Sequence, residues 1–177
     1  MMHKREYLAH HSMKQYILTS YRELLKTHAP DKISVKQIAT HAGVNRSTFY
    51  LHFQDKYEVL QLITEEKLAQ LVSYYYGTTE SDDDPKNVTI QICTHIYQNK
   101  TFYKELCQDD AFKDRLFHYL YEALFIHIQH EAIATFTAYG TMGYFIEWIK
   151  QDCQKTIDMI ASDLASISNA QSVISKM

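Results

Sequence analysis

The chain has 177 residues, and its 18 Lys and Arg against 21 Asp and Glu give a formal net charge of −3 at pH 7. Hydrophobic residues make up 46%, with only four glycines and two prolines, which allows a large core and disfavours turn-rich β folds. The three scattered cysteines offer no disulfide framework or zinc spacing. The sequence also lacks an 18-residue apolar run and an N-terminal signal peptide, so we expect no membrane partner.

The charge is unevenly distributed. Residues 1–60 carry nine Lys and Arg against five Asp and Glu, a balance of +4, together with six of the ten histidines. Residues 61–177 carry nine against sixteen, a balance of −7. A basic front and an acidic rear indicate two modules with different partners, although chance clustering is the alternative.

Local capping signals divide the front of the chain into helices. A serine followed three residues later by glutamine forms a capping box, asparagine is a good N-cap, and Pro30 disfavours helix at the residue before it. These signals predict helices over 12–28, 34–41 and 45–51, capped by Ser12 with Gln15, by Ser34 with Gln37, and by Asn45.

A third capping box opens a long helix that runs to residue 76. Asp55 and Glu58 form the box. The apolar stripe of this helix at helical spacing is Tyr57, Leu60, Ile63, Leu68, Leu71 and Val72.

The rear of the chain begins after a break in this pattern. Gly77 and the acidic run TTESDDD predict a solvated loop, and Asp84 with Pro85 predicts the cap and first residue of a new helix. Periodicity predicts further helices over 85–99, 110–130, 132–151 and 155–174, with a short helix or turn at 101–107. The chain is therefore predicted to be all-α, with about nine helices.

Two short helices around one glycine form the most informative segment. Gly43 is expected to supply a positive φ in a tight helix–helix turn, and Ala39 allows the two helices to cross closely. The second helix then directs Arg46, Ser47, Thr48, Tyr50, Leu51 and His52 outward, with no acid among them. This is the surface expected of a helix placed in a DNA major groove.

The segment DKISVKQIATHAGVNRSTFYLHFQDKYEVL resembles the DNA-binding region of TetR-family transcriptional regulators, and the similarity runs from about Ser12 to Leu60. It implies an N-terminal three-helix helix-turn-helix DNA-binding domain at 8–54 and a connecting helix at 55–76. An effector-sensing and dimerisation domain follows at 77–177. It also implies a regulator, not an enzyme, in the bacterial cytoplasm and on the nucleoid when bound.

The resemblance assigns roles in DNA binding to ten residues. Leu51 stands where the family often has Tyr or Trp, so base reading is expected to depend more on Arg46. Tyr50 and His52 have an alternative role, which is to close their helix against the long helix that follows. The expected phosphate contacts are Ser34, Thr48, Tyr50, His52 and Lys56, the expected base contacts are Arg46, Ser47 and Leu51, and Val35 and Lys36 lie at the groove margin.

The last two helices are expected to form the dimer. Two mid-helix glycines cost about 1 kcal/mol each against alanine, which a closely packed neighbouring helix would offset. Packing within one chain is the alternative. The predicted interface residues are Gly140, Gly143, Tyr144, Ile157, Ile160, Ala161, Leu164 and Ile167.

The sequence indicates less about the signal that controls the regulator than about DNA binding. A plain aromatic core competes with an effector pocket, and the rear half weakly resembles regulators of dihydroxyacetone-kinase operons in Firmicutes, some of which are thought to receive their signal through a protein co-regulator. The candidate pocket residues are Tyr97, Phe102, Tyr103, Tyr121, Phe125, Met142 and Phe145.

No cofactor is predicted. His127, His130 and Glu131 fall within about one helical turn, but without a fourth ligand they indicate a solvated face more than a metal site. Cys107 suits a redox role only if it is exposed with a low pKa, and a buried thiol is the default.

Three functions compete. The first is a dimeric repressor that binds a pseudo-palindromic operator, as one dimer or two, under the control of a small-molecule effector. The second is the same DNA reader, acting as a repressor or an activator, under a protein co-regulator. The third is a small helical metal-binding protein or enzyme, for which the sequence shows no nucleophile elbow, phosphate loop or metal quartet.

Overall fold

The computed structural model of the protein describes residues 4–76 and 85–174, with side chains for residues 13–76 and 86–167. These residues form nine α-helices and one short 3-10 helix, and no strand occurs among them. The 3-10 helix is Pro30–Lys32. The α-helices are α1 (Lys4–Leu25), α2 (Val35–His41), α3 (Arg46–His52), α4 (Lys56–Tyr76), α5 (Pro85–Gln98), α6 (Lys100–Leu106), α7 (Asp110–Ile128), α8 (Glu131–Lys150) and α9 (Ile157–Ile174).

The chain divides into a front unit, Met1–Lys67, and a rear unit, Leu68–Met177, with the division inside α4. In the front unit α1 packs against α2 and α3, and α2 packs against α3. Its core is made of apolar side chains that are at most 2% exposed: Ile17, Tyr21, Leu25, Ile33, Ile38, Ala39, Phe49, Phe53, Val59 and Ile63. An ion pair between Arg22 and Glu66 also joins α1 to α4.

Two of the capping predictions need correction. The first helix does not begin at Ser12, because α1 already begins at Lys4. At the start of α4, the Asp55 carboxylate accepts hydrogen bonds from the amides of Tyr57 (2.7 Å) and Glu58 (3.0 Å), as an N-cap does. The Glu58 carboxylate, however, accepts from the amide of Gln54 (2.7 Å), one residue before the expected partner.

The apolar stripe predicted for α4 is also displaced at its start. Tyr57 is 61% exposed, whereas Val59 is fully buried. Ile63, Leu68, Leu71 and Val72 are buried as expected. The predicted loop at Gly77 and TTESDDD and the predicted cap at Asp84 lie outside the described residues, and α5 begins at Pro85 as predicted.

The rear unit is organised around two helix pairs. The α7 helix packs along α8, α5 packs along α9, and α6 contacts both α8 and α5. Buried aromatic residues fill the space between them: Phe102, Tyr103, Phe112, Phe145 and Trp148.

The turns of the rear unit use left-handed backbone at residues other than glycine. Gln129, with φ 49°, ends α7, and the side chain of His130 then caps α8. Asp152 (φ 59°) and Cys153 (φ 55°) reverse the chain after α8. The indole of Trp148 donates to the carbonyl of Lys155 (3.0 Å), which ties this second turn to α8. Across the part of the chain that is described, no helix combines the length and apolar character needed to cross a membrane.

Candidate nucleic-acid interface

The start of α2 presents the first of the predicted DNA contacts. The hydroxyl of Ser34 accepts a hydrogen bond from the amide of Gln37 (3.2 Å), and the side-chain oxygen of Gln37 accepts from the amide of Ser34 (2.9 Å). This reciprocal pair is the predicted capping box. Ser34 and Lys36 are exposed and Val35 is half-buried. The box therefore fixes the entry to α2 while its outer side chains face solvent.

The turn between α2 and α3 is closed by backbone hydrogen bonds. The amide of Gly43 donates to the carbonyl of Thr40 (3.2 Å), and the amide of Val44 donates to that of Ala39 (2.9 Å). This is the Schellman pattern, which places a left-handed residue after the helix. Gly43 has φ +67°, and a Cβ there would meet no atom within 4 Å. The turn therefore requires glycine for its backbone conformation and not for space, which confirms the predicted positive φ.

The α3 helix separates a buried face from an exposed one. The side chain of Asn45 accepts from the amide (2.7 Å) and the hydroxyl (3.0 Å) of Thr48, so the predicted N-cap is present. Phe49 and Phe53 are 0% and 2% exposed, and they anchor the helix in the core. The opposite face carries the expected DNA contacts: Arg46, Ser47, Tyr50 and Leu51 are exposed, and Thr48 and His52 are half-buried.

Tyr50 links the buried and exposed faces of α3. Its ring packs edge-on against Phe49, with 5.5 Å between the ring centroids. Its hydroxyl oxygen accepts a hydrogen bond from the guanidinium of Arg46 (3.3 Å). The longest side chain of this surface is therefore held through Tyr50 to a core phenylalanine.

The ammonium of Lys56 is turned toward the protein main chain. It donates to the carbonyl oxygens of Pro30 (2.8 Å), Asp31 (3.2 Å) and Ile33 (2.8 Å). An ammonium has three N–H donors, so these acceptors match its full capacity. The sequence offered no signal for this contact, because the partners lie more than twenty residues away and are main-chain atoms.

A groove of about 440 Å³ runs beside these side chains. Its lining includes two carboxylates that are already engaged, since Asp31 pairs with Lys32 (2.9 Å) and Asp55 caps α4. Four cationic residues outnumber them, so the groove has a positive balance suited to a polyanion. The lining residues are Asp31, Lys32, Ile33, Ser34, Val35, Lys36, Arg46, Asp55, Lys56 and Tyr57.

The seven candidate pocket residues divide between the core and the surface of the rear unit. Phe102, Tyr103 and Phe145 are at most 2% exposed. Tyr97 and Phe125 are 46% and 38% exposed. Tyr121 and Met142 are half-buried.

One buried member of this set, Tyr103, forms a polar pair with His95. The hydroxyl of Tyr103 is 2.8 Å from Nε2 of His95, and both residues are buried. Phe102 and Phe112 pack around the Tyr103 ring at centroid distances of 5.3 and 6.2 Å. The pairing of His95 with Tyr103 was not predicted, because sequence periodicity shows burial but not side-chain partners.

Tyr121 and Phe125 belong to a row of stacked rings on α7 and α8, the aromatic row, whereas Tyr97 lies apart from it on α5. Phe117 stacks on Tyr139 with 4.1 Å between centroids, and on Tyr121 with 6.0 Å. Tyr121 stacks in turn on Phe125 at 5.6 Å. Tyr139 is 55% exposed, so the row presents apolar area to solvent.

The predicted dimer residues also differ in their exposure within the single chain. Gly140, Gly143 and Ile167 are exposed, and Tyr144, Ile157 and Leu164 are half-buried. Ile160 and Ala161 are at most 1% exposed within the single chain. Tyr144 donates to Asp163, which also pairs with Lys155 (3.0 Å), so this tyrosine joins α8 to α9.

The candidate metal ligands and the candidate redox cysteine have other surroundings in the structure than those roles require. His127 contacts the carbonyl of Tyr75 (3.0 Å), and His130 caps α8. Within the described ranges, no group of three or more His, Cys, Asp or Glu side chains is placed to hold a metal ion. Cys107 is buried, and burial raises the pKa of its thiol to about 11, opposite to what a reactive thiolate needs.

The comparison with protein families covers both units. Residues 17–63 match the model of bacterial regulatory proteins of the tetR family. Residues 83–170 match a model described as a transcriptional regulator C-terminal region. The proteins behind these matches are regulators and not enzymes.

Individual relatives agree with the family models. The chain is 30% identical over 104 residues to the HTH-type dhaKLM operon transcriptional activator DhaS of Lactococcus lactis subsp. lactis (strain IL1403), a match that covers 54% of this chain and only about half, 52%, of that protein. The solved structure of dihydroxyacetone kinase operon activator DhaS aligns with a TM-score of 0.69 at 22% identity, over 90% of this chain and 95% of that one. A tetR-family regulator from Streptomyces coelicolor aligns with a TM-score of 0.73 at 14% identity, over 93% and 83%. The two structures show a shared fold.

Proposed function

Because this chain belongs to the TetR family of transcriptional regulators, we propose that it binds a pseudo-palindromic operator as a homodimer, with one α3 in the major groove of each half-site. The observation that carries this proposal is the exposed, acid-free face of α3, held in place by Phe49 and Phe53. The proposed contacts are nine of the ten residues named from the resemblance, all except Lys56, whose ammonium is bound to main-chain carbonyls. The proposed location is the bacterial cytoplasm, on the nucleoid when bound.

Individual contacts follow from the chemistry of each side chain. The guanidinium of Arg46 can donate two hydrogen bonds to O6 and N7 of a guanine. Leu51, which is 76% exposed, offers apolar contact to a thymine methyl group. The hydroxyls of Ser34 and Thr48 donate to Gln37 (2.8 Å) and Asn45 (3.0 Å) in the free protein, and rotation would let them donate instead to phosphate oxygens, which fix the register of the protein on DNA.

The proposed dimer is supported by the two glycines of α8. A Cβ added at Gly140 or Gly143 would meet no atom within 4 Å, so packing within the chain does not require glycine at either position. Phe136 and Tyr139, which are 69% and 55% exposed, lie on the same face of the helix. The close approach of α8 from a second copy accounts for both the small residues and the exposed rings. In such a dimer the two reading helices would lie about 34–36 Å apart, one turn of DNA.

Two modes of control fit different parts of the rear unit. In the first, the protein is a repressor whose operator affinity is changed by a small-molecule effector. The supporting observation is the pair of His95 and Tyr103, two polar groups inside aromatic surroundings, the composition typical of ligand sites.

In the second mode the regulator, as a repressor or an activator, is controlled by a protein co-regulator. Here the support is the exposed aromatic row, together with the similarity to DhaS of Lactococcus lactis, a transcriptional activator. Aromatic side chains are enriched at protein–protein interfaces.

DNase footprinting of purified protein on the DNA upstream of its own gene and its neighbours tests operator binding. We expect a protected, two-fold symmetric site, which Arg46→Ala should protect only at a much higher protein concentration. Arg115→Ala is the matched control, because it removes the same charge from the rear unit. Equal protection by wild type and Arg46→Ala would contradict the assignment of α3 as the reading helix.

A reporter fused to the footprinted promoter separates the two modes of control. Small-molecule control predicts that Tyr103→Phe alters the response to the signal, whereas co-regulator control predicts this of Phe125→Asp. In each case the variant must still give the wild-type footprint, so that a change in the response is not a loss of operator binding. Expression in a strain that lacks the regulator gives the sign of regulation.

A further inference from the structure

Lys56 stands where the family resemblance expects a phosphate contact, but its ammonium is used differently. As the first residue of α4, it reaches back to three main-chain carbonyls of the segment before α2. The donor–acceptor distances of 2.8, 3.2 and 2.8 Å to Pro30, Asp31 and Ile33 are those of full hydrogen bonds.

The carbonyls of Pro30 and Asp31 belong to the 3-10 helix, and that of Ile33 belongs to its C-cap residue. The last carbonyls of a helix have no amide partner within it and carry the negative end of the helix dipole, so a cation there is favourable. The ammonium of Lys56 donates to the carbonyls of Asp31 and Ile33 from a different element, and it adds a second donor to the carbonyl of Pro30, which already accepts from the amide of Ile33 (3.3 Å). It thereby joins the start of α4 to the end of the 3-10 helix within the front unit.

The contact with Ile33 leads directly to α2. Ile33 immediately precedes Ser34, the cap of α2, and its side chain is only 1% exposed. Lys56 binds its carbonyl oxygen while the core binds its side chain. Ile33, the residue before the cap of α2, is therefore held both by its carbonyl oxygen and by its side chain.

We propose that Lys56 is a positioning residue, which sets α2 and its Ser34 and Lys36 in register with the DNA backbone without itself contacting a phosphate. This inference rests on the proposed DNA-binding surface and gives Lys56 a different role from the phosphate contact that the resemblance implies. In this role Lys56 acts through α2, so its loss lowers operator affinity without removing a neutralised phosphate.

The geometry of the site distinguishes this role from a phosphate contact. Three carbonyls converge on the tetrahedral donors of an ammonium, a pattern that the planar fork of arginine does not reproduce. A phosphate contact, in contrast, is made as well by arginine as by lysine. Lys56→Arg is therefore expected to fail if Lys56 positions α2, and to bind normally if Lys56 contacts phosphate.

The test compares Lys56→Met and Lys56→Arg with Lys36→Met, which removes a charge from the exposed face of α2. Amide hydrogen exchange without DNA is measured first. We expect both Lys56 variants to exchange the amides of Gln37 and Ile38 about tenfold faster than wild type, because a charge-assisted hydrogen bond is lost. Lys36→Met should leave these amides unchanged.

Operator affinity is then measured against salt concentration, at a temperature where circular dichroism shows every variant folded. We expect both Lys56 variants to bind about tenfold more weakly with the wild-type salt slope, and Lys36→Met to lower the slope by about 0.9 for one phosphate contact. General destabilisation alone would not change the affinity of a folded variant.

The proposal would be overturned if both Lys56 variants exchanged the amides of Gln37 and Ile38 at the wild-type rate. In that case Lys56→Arg would bind the operator normally, and Lys56→Met would lower the salt slope by about 0.9. If the wild-type protein gives no footprint at all, the proposed function fails. The exchange arm, which uses no DNA, would still decide whether Lys56 holds α2.

Discussion

Arg46 donates a hydrogen bond from Nη2 to the hydroxyl oxygen of Tyr50 at 3.3 Å, and its guanidinium carbon lies 5.9 Å from the centroid of the Tyr50 ring. The two residues are four positions apart on α3, so they are neighbours on one face of the helix. An unsupported arginine has several rotamers to lose on binding. Tyr50 restricts them in the free protein, which lowers the ordering cost when Arg46 enters the groove.

Substitutions at Arg46 and Tyr50 should separate the contribution of the base contact from that of the hydrogen bond that holds Arg46. Arg46→Ala is expected to cost roughly 1–3 kcal/mol of operator binding and to relax specificity at one base pair. Tyr50→Phe keeps the ring against Phe49 but removes the hydroxyl, and is expected to cost about 0.5–1.5 kcal/mol. Fluorescence-anisotropy titrations on operator and scrambled duplexes measure both.

A double-mutant cycle then tests whether the two side chains act together. In the Arg46→Ala background, Tyr50→Phe should cost less than it does in the wild-type protein, since Arg46 is already absent and only the proposed phosphate contact of Tyr50 remains to be lost. Additive losses in the double variant would show that the hydrogen bond between Arg46 and Tyr50 does not contribute to binding.

The glycines of α8 give a prediction about assembly. Gly140→Leu and Gly143→Leu should convert the dimer to a monomer, because the added side chains occupy the space that the second α8 needs. Within one chain a Cβ at either position meets nothing within 4 Å, so helical content should be kept. Sedimentation velocity and circular dichroism measure the two properties.

Alanine substitutions sharpen the same test. In a helix that faces only solvent, replacement of each glycine by alanine stabilises by about 1 kcal/mol. A gain in unfolding free energy of this size, with an unchanged oligomeric state, would refute the proposed interface. Ala111→Leu, on the exposed surface of α7, is the control for an added leucine.

The buried pair in the rear unit should contribute to stability. Tyr103→Phe removes a hydroxyl that is 2.8 Å from His95 Nε2, and is expected to lower the free energy of unfolding by about 1–3 kcal/mol. Tyr97→Phe makes the same chemical change at a residue that is 46% exposed, and should change it by less than about 0.5 kcal/mol. Urea denaturation at one fixed protein concentration compares them, and equal effects would contradict the role given to the pair.

The cysteines should be unreactive in the native protein. Burial raises the pKa of Cys93 to about 12 and that of Cys107 to about 11, and it also raises the pKa of Cys153. At pH 8 a thiol of pKa about 11 has more than about a hundredfold less thiolate than an ordinary cysteine of pKa about 8.5. Ellman's reagent should therefore react with all three thiols rapidly in guanidinium and only slowly without it. A fast-reacting thiol in the native protein would reopen the redox role considered for Cys107.

Local chemistry explains why much of the front unit could be predicted. The capping box of Ser34 with Gln37, the cap at Asn45 and the positive φ of Gly43 all depend on residues at most four positions apart, so the sequence contains the whole interaction. The anchoring of α3 by Phe49 also follows from its helical spacing.

Predictions failed where a distant partner or competing local preferences decided the outcome. Ser12 has the sequence of a cap, but the residues before it include good helix formers and α1 continues through it. Tyrosine has both an apolar ring and a polar hydroxyl, so Tyr57 is compatible with either face of an amphipathic helix. In the structure Tyr57 is exposed and Val59 is buried. The contacts of Lys56 and the partner of His95 depend on tertiary structure, which periodicity does not encode.

Base reading and folding depend on different residues of the segment 46–53, and this separation has an evolutionary consequence. Arg46, Ser47 and Leu51 are exposed, whereas the fold depends on the interleaved Phe49 and Phe53. Substitutions at the three reading positions can accumulate without loss of the folded state, so duplicated copies of such a gene can acquire new operators in a few steps. New DNA specificities can therefore evolve in such proteins without an added risk of misfolding.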